Sequence, residues 1–301
     1  MTGGGGGATF GLGSSGPERG AHRFSHAAMA TVFEVHCVHA DARYARQAAQ
    51  AAFDLVDRLE QELSRFVENS DVSRINHLAA GQSTRVSPWT MECLEIARHL
   101  HGLTGRAFDV SIGSGMEGLE LVPGEFAVHA RSGEARLDLG GIGKGYAVDR
   151  MAEVLEEWEI PHALVHGGFS SVLALEAPPE RDGWPLTLSA PGPGDDRVLA
   201  RISARRRAFS ASGVRKGDHI VDPRTGRSVH GRAAAWVAAP WEDGGSPAAV
   251  ADALSTAFMI QATEEIADLC RRHPGLEVWL VPEPKEGEKA PGLVHLGAPG
   301  T

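Results

Sequence analysis

The sequence lacks the features that define several common classes of protein. No segment approaches the ~20 consecutive apolar residues that a membrane-spanning helix requires. The 301 residues carry a net charge of −10, so a surface for nucleic acid is not indicated. Histidine is plentiful, with 14 residues, but no tight His/Cys spacing of the zinc type occurs. Hydrophobic residues make up 42% and charged residues 23%, as in ordinary soluble globular proteins.

Cysteine is scarce as well. Cys37, Cys93 and Cys270 are odd in number and far apart, and each lies in an apolar or helical context. A disulfide framework is therefore not indicated, and we expect buried, reduced thiols, which fit a reducing compartment.

The N-terminal segment lacks the basic start and apolar core of a secretory signal. Its glycine and serine content predicts a flexible tail over residues 1–22, followed by one domain over residues 23–298. As written, the chain is expected to be cytoplasmic, with no lipobox cysteine and no membrane span, or periplasmic if a leader was removed.

The elements that are present indicate an α+β fold. Residues 30–38 alternate like a strand, and a long amphipathic helix follows Asp41. Ser246 and Pro247 predict the start of a later helix. Strands and helices mix without strict βαβ alternation, which favours mixed or antiparallel sheets with packed helices over a doubly wound sheet.

A glycine-rich segment is the most unusual feature. "LDLGGIGKGYAVDRM" (137–151) contains four glycines and Lys144 between a predicted strand that ends at Leu139 and a predicted helix. Bare backbone, a helix N-terminus and a lysine favour an anion. The segment matches neither the P-loop nor G-x-G-x-x-G. Phosphate or nucleotide binding and a tight strand–helix turn therefore remain about equally supported.

Three further sites carry candidate chemistry. Asp252 and Thr256 are four residues apart on a predicted helix, so their oxygens share a face and suit Mg²⁺. Taken alone, a solvated Asp beside a Thr that bonds its own helix is the more common arrangement. His219 is predicted to point inward before the turn "DPRTG", as a core residue or as a proton acceptor. Phe66 and Phe108 lie in polar stretches suited to lining a pocket for a flat ring.

Together and in order, several segments resemble the FAD:protein FMN transferases, the ApbE-type flavin transferases. They are "AMATVFEV", "LSRFVENSDVSRIN", "TGRAFD", "LDLGGIGKGYAVDRMAEVL", "SASG", "HIVDPRTG" and "ADALSTA", spanning residues 24 to 262. The resemblance implies an ApbE-like (T-fold-like) α+β fold, with FAD as substrate and Mg²⁺ on its diphosphate. Such enzymes move FMN from FAD to a threonine hydroxyl of an acceptor flavoprotein and release AMP.

The resemblance also implies roles for individual residues. Met29, Phe66, Ala107, Phe108, Asp109, Asp138, Lys144, His219 and Ile220 would contact FAD. The carbonyl of Gly141, with Asp252 and Thr256, would hold Mg²⁺, and His219 and Asp252 are the candidate catalytic bases.

The chain also departs from the family pattern. Residues 113–136 form a shorter segment than usual, and "HGGFSS" replaces the common GGD motif. Two alternatives use the same site: a Mg²⁺-dependent FAD pyrophosphatase with water as nucleophile, and a catalytically idle FAD-binding protein.

Overall fold

The computed structural model describes residues 10–12, 20–133, 136–191, 197–213, 220–241, 244–283 and 292–298. In chain order the strands are β1 (Phe10–Leu12), β2 (Ala21–Ala28), β3 (Thr31–Val38), β4 (Ser83–Arg85), β5 (Leu119–Val122), β6 (Ala127–Ala130), β7 (Ala163–Gly167), β8 (Ser171–Ala174), β9 (Trp184–Ser189), β10 (Val198–Ala204), β11 (Arg207–Gly213), β12 (Val221–Asp222), β13 (Arg227–Ser228), β14 (Arg232–Pro240), β15 (Glu277–Pro282) and β16 (Val294–Gly297). The helices are α1 (Ala42–Leu63), α2 (Asp71–Asn76), α3 (Pro88–Leu103), α4 (Gly143–Glu157), α5 (Pro247–Ala257) and α6 (Thr263–Arg272).

An eight-stranded sheet, the main sheet, organises the molecule. Its order is β16-β15-β14-β11-β8-β7-β3-β2, and every neighbouring pair is antiparallel. Smaller sheets have the orders β1-β9-β10 and β4-β6-β5, and β12 pairs with β13. Antiparallel sheets with packed helices confirm the predicted α+β class.

Both faces of the main sheet are covered, as the alternation along β14 shows. Ala235 and Val237 belong to the larger core with the helices, whereas Ala234 and Trp236 belong to a second core. On the other side of that second core lies the β1-β9-β10 sheet, which contributes Leu186 and Leu188 of β9. The period of two along each strand therefore produces three layers.

The N-terminal segment differs in part from the expected tail. Phe10 is only 2% exposed, and β1 pairs with β9. A single large apolar side chain in a glycine-rich segment thus joins the second core, which composition alone did not reveal. The single domain over 23–298 stays a prediction.

The prediction of a strand that ends at Leu139 is wrong, because the backbone of this segment forms hydrogen bonds with a side chain and a loop and not with a neighbouring strand. The amide of Leu137 donates to Asn76 Oδ1 at 2.6 Å, and Asn76 Nδ2 donates to the carbonyl of Leu137 at 3.0 Å. The amide of Asp138 donates to the carbonyl of Val110 at 2.7 Å. One asparagine side chain therefore replaces a neighbouring strand.

Two sequence expectations about composition can be compared with the fold. The three cysteines are buried and free of disulfide bonds. None of the helices within the described ranges combines the length and apolarity that a bilayer crossing requires.

Candidate active site

A cavity of about 1040 Å³ opens at one end of the main sheet. The main sheet contributes the β2–β3 turn, the β7–β8 turn and the end of β11 to its walls. The remaining walls are residues 107–113, the glycine segment, residues 220–226 and the end of α5. The volume lies at the upper end of the range usual for small-molecule sites. A ligand of dinucleotide size fits such a space.

Most of the predicted site residues line this cavity. They are Met29, Ala107, Phe108, Asp109, Asp138, Gly141, Lys144, Ile220 and Thr256. Asp252 lies directly behind the wall, only 3% exposed, and bonds Lys144. Phe66 is not in the wall, and His219 lies outside the described residues. Met29 and Thr256, which are 227 positions apart in the sequence, thus lie in the wall of one cavity.

Strained backbone conformations occur around the cavity. Met29 and Ala30, the two turn residues between β2 and β3, have φ of 48° and 56°. Ile112, a β-branched residue, has φ of 52°. Left-handed conformations are costly for such residues and cluster at functional sites. They bring Met29 and the half-exposed Ile112 to the cavity.

The backbone of the glycine segment lines part of the cavity at Gly140 and Gly141. The amide of Gly140 donates to Asp138 Oδ1 at 2.8 Å, and α4 begins at Gly143. A Cβ on Gly141 would lie 3.4 Å from Phe108 Cε2 and 3.6 Å from Thr256 Oγ1. Gly141 therefore lies between an aromatic ring and a hydroxyl, at distances that correspond to ordinary van der Waals contact for a Cβ.

Asp252 is held by three donors. Its Oδ1 accepts from Ser210 Oγ at 3.1 Å, and its Oδ2 accepts from the amide of Gly145 at 3.1 Å. Lys144 Nζ lies 3.4 Å from the same Oδ2 and 3.2 Å from the carbonyl oxygen of Gly140. A positive charge thus already lies between a carboxylate and a backbone carbonyl.

Ser210 and Ser212 are site residues that the sequence analysis did not single out. Ser212 Oγ lies 3.2 Å from Thr256 Oγ1 and 2.8 Å from Ser255 Oγ. Both serines belong to β11 and are two positions apart, so they share one face of the strand. The spacing of two in "SASG" is the sequence signal that marks this pair.

The donor set is suited to a divalent cation that is shared with a substrate. No group of three His, Cys, Asp or Glu side chains that could hold a metal occurs among the described residues. Asp252, the hydroxyl of Thr256 and a backbone carbonyl are hard oxygens, and Mg²⁺ commonly takes one or two carboxylates plus substrate phosphate oxygens. The Lys144 ammonium, bonded to a carboxylate and a carbonyl, shows that this position favours a cation. The residues therefore fit Mg²⁺.

Phe66 lies near the cavity only through its neighbour. Phe66 is 82% exposed, and the Arg65 guanidinium carbon lies 4.6 Å from its ring centroid. Arg65 Nε is 3.2 Å from Asp138 Oδ2. The ion pair connects this aromatic residue to the cavity wall, and its contact with a flavin ring stays a prediction.

Asp109 is buried and held by its own loop. Its Oδ1 accepts from the amide of Ser111 at 2.8 Å and from the hydroxyl of the same residue. The Nδ1 of His101 lies 3.8 Å from that oxygen. Asp109 therefore shapes the 107–113 loop as well as lining the cavity.

The fold is that of solved flavin transferases. Pseudomonas stutzeri flavinyl transferase ApbE in its apo form matches with a TM-score of 0.78 at 22% identity, over 92% of this chain and 94% of that one. The flavin transferase ApbE from Vibrio cholerae matches with a TM-score of 0.76 at 21% identity, over 92% and 97%.

The sequence defines the family. The ApbE family model matches residues 29–125 and 115–280. The chain therefore belongs to the ApbE family, and it is an enzyme of the transferase class. A relative in Salmonella typhimurium, named FAD:protein FMN transferase, is 23% identical over 87% of this chain and 84% of its own length. Another of that name in Vibrio cholerae is 27% identical over 70% and 72%.

Proposed function

We propose that this chain is an FAD:protein FMN transferase that uses Mg²⁺. Family membership and the names of its relatives support the proposal. The observation that carries it is the buried Asp252 carboxylate directly behind the wall of a dinucleotide-sized cavity, where it contacts Lys144, a residue that lines the cavity as Thr256 does. Such an arrangement suits the diphosphate of FAD.

Each group has a distinct task in binding FAD. Lys144 and the N-terminal turn of α4 would attract the diphosphate, because both present positive charge. Met29 and Phe108 offer apolar surfaces to the flavin ring. Asp252, Thr256 and the carbonyl of Gly141 would hold Mg²⁺, which supplies neutralisation of the diphosphate charge when bound.

The reaction is a phosphoryl transfer. The acceptor threonine Oγ forms a bond to the phosphorus on the FMN side, and the bond from that phosphorus to the bridging oxygen breaks. AMP leaves with the electron pair of the broken bond. The threonine proton passes to a base, for which His219 and Asp252 are the candidates.

The test is incubation with FAD, Mg²⁺ and an acceptor domain bearing a flavinylation threonine. We expect a covalently fluorescent acceptor and one AMP per transfer. Asp252→Asn should reduce the rate by about 10²–10³-fold, as is usual for loss of one electrostatic group at a reaction centre. Asp54→Asn, on the exposed face of α1, is the matched control and should keep the wild-type rate.

Other products would contradict the proposal. Free FMN with AMP and an unlabelled acceptor would mean a pyrophosphatase. Intact FAD bound to the protein would mean an idle binding protein. Wild-type turnover in Asp252→Asn would refute the assignment of this carboxylate.

A further inference from the structure

Helices α4 and α5 lack side-chain caps of their own. The N-cap residue of α4 is Ile142, which has no polar side chain, and the N-cap of α5 is Ser246. Ser246 Oγ accepts from Arg150 Nη2 at 3.1 Å and makes no capping bond to its own helix. The first turn of each helix therefore contains backbone amides that require an acceptor from outside the helix.

Each helix supplies the missing acceptor to the other. Asp149 of α4 accepts from the amides of Ala248 and Ala249 of α5, both at 2.8 Å. Asp252 of α5 accepts in turn from the amide of Gly145 of α4 at 3.1 Å. Asp149 and Asp252 are 1% and 3% exposed, so water does not compete for these bonds. The two helices cap one another reciprocally.

Close packing makes this exchange possible. A Cβ on Gly145 would lie 2.1 Å from the carbonyl oxygen of Ala248 and 2.8 Å from Asp252 Cβ. Only glycine lets the backbones approach so closely without a clash. The position of Asp252 thus depends on where the first turn of α5 is fixed.

We propose that Asp149 is a positioning residue, which fixes the first turn of α5 so that Asp252 and Thr256 face Gly141 and Lys144. Asp149 lines no part of the cavity and acts through the helix. The consequence for Mg²⁺ rests on the proposed function, whereas the coupling between the two helix starts does not.

Asp149→Asn and Asp149→Ala test the coupling in the full chain. The matched control is Asp41→Ala, because Asp41 accepts from two amides at the start of α1, those of Arg43 and Tyr44, at 2.8 and 3.1 Å. The first readout is amide hydrogen exchange. We expect faster exchange at Ala248 and Ala249 and also at Gly145 of α4, whose acceptor is carried by α5. Asp41→Ala should speed exchange at the start of α1 only.

The second readout is the Mg²⁺ concentration that gives half-maximal transfer. We expect it to rise about 10-fold in the Asp149 variants, as is typical when the support of a metal ligand is lost, and to stay unchanged in Asp41→Ala. If Asp149→Ala does not fold, the isosteric Asp149→Asn, which keeps one acceptor oxygen, decides the question.

Two outcomes separate this inference from the proposed function. Unchanged exchange at Gly145 together with an unchanged Mg²⁺ requirement would overturn the positioning role. A wild-type chain without transferase activity would overturn the proposed function alone, and faster exchange at Gly145 would then still support the coupling of the two helices.

Discussion

At the scale of single residues, His166 shows how burial fixes a protonation state. It lies on β7, is 2% exposed and packs edge-on against Phe169 with 5.1 Å between ring centroids. Burial lowers the pKa of His166 to about 4, although the Glu34 carboxylate acts in the opposite direction. The imidazole is therefore neutral at physiological pH.

This shift predicts a pH-dependent stability. The folded-state pKa, about 4, is below the ordinary value of 6.5, so the unfolded chain takes up the proton first. The stabilisation is fully present above pH 6.5 and is lost as the pH falls through about 4, with a total of about 3 kcal/mol. Between pH 6.5 and about 4, the free energy of unfolding measured with urea should fall less steeply with decreasing pH in His166→Gln than in the wild type. An unchanged slope in the variant would contradict the assignment.

The buried acid Asp149 is subject to opposing effects. Burial raises the pKa of Asp149 to about 8, and the two amide donors from α5 act in the other direction because they bond the ionised form. The contribution of this raised pKa to stability is fully present below the ordinary pKa of 3.8 and is lost progressively as the pH rises from there through about 8.

Individual site residues could be predicted from the sequence only where their partners are close by in the chain. Asp252 and Thr256 were identified because they are four apart on one helix. Gly145 and Asp149 were not, because their partners are 107 and 99 or 100 positions away in the chain. No local pattern marks a hydrogen bond that only the crossing of two helices creates.

At the scale of elements, the packing of α4 against α5 requires glycine at position 145. Gly145→Ala would force a Cβ to 2.1 Å from a backbone carbonyl oxygen, which cannot rotate away. We expect Gly145→Ala to lower the free energy of unfolding, measured with urea, by about 1–3 kcal/mol. The variant should also require more Mg²⁺, because the displaced α5 carries Asp252.

A second helical glycine provides the control. Gly102 in α3 is exposed, and apart from the adjacent backbone of its own helix no atom of the described residues lies within 4 Å of the position that a Cβ there would occupy. Gly102→Ala should stabilise the protein by about 0.5–1 kcal/mol, because alanine loses less backbone entropy in a helix. Equal stability changes in the two variants would show that helix propensity, and not the close approach, governs position 145.

Element boundaries were predictable where the signals were local. At the start of α3, serine directly before proline is such a local signal, and Ser87 Oγ accepts from the amide of Thr90 at 3.0 Å. Residues 137–139 were not predictable, because "LDL" alternates like a strand while Asn76, 61 positions away, supplies the hydrogen bonds. The hydrophobic alternation correctly predicted that Leu137 and Leu139 are buried, but it does not indicate which groups accept and donate the backbone hydrogen bonds.

At the scale of the whole molecule, the α+β class followed from the mixed order of helices and strands, and the family from the order of its motifs. The three-layer arrangement did not follow, because the second core depends on strands that pair across long stretches of sequence. Phe10 of β1 joins that core beside Phe209, with 6.0 Å between the ring centroids. The convergence of the cavity walls is likewise a long-range property, because turns of the main sheet meet there with the 107–113 loop, the glycine segment and the end of α5.

The central claim is that the cavity holds the diphosphate of FAD between the glycine segment and α5. A crystal structure of the chain with FAD and Mg²⁺ tests it most directly. We expect the two phosphorus atoms beside Lys144 and a metal ion bonded to Asp252 and Thr256. FAD bound elsewhere, or a diphosphate with no metal at those oxygens, would contradict the claim.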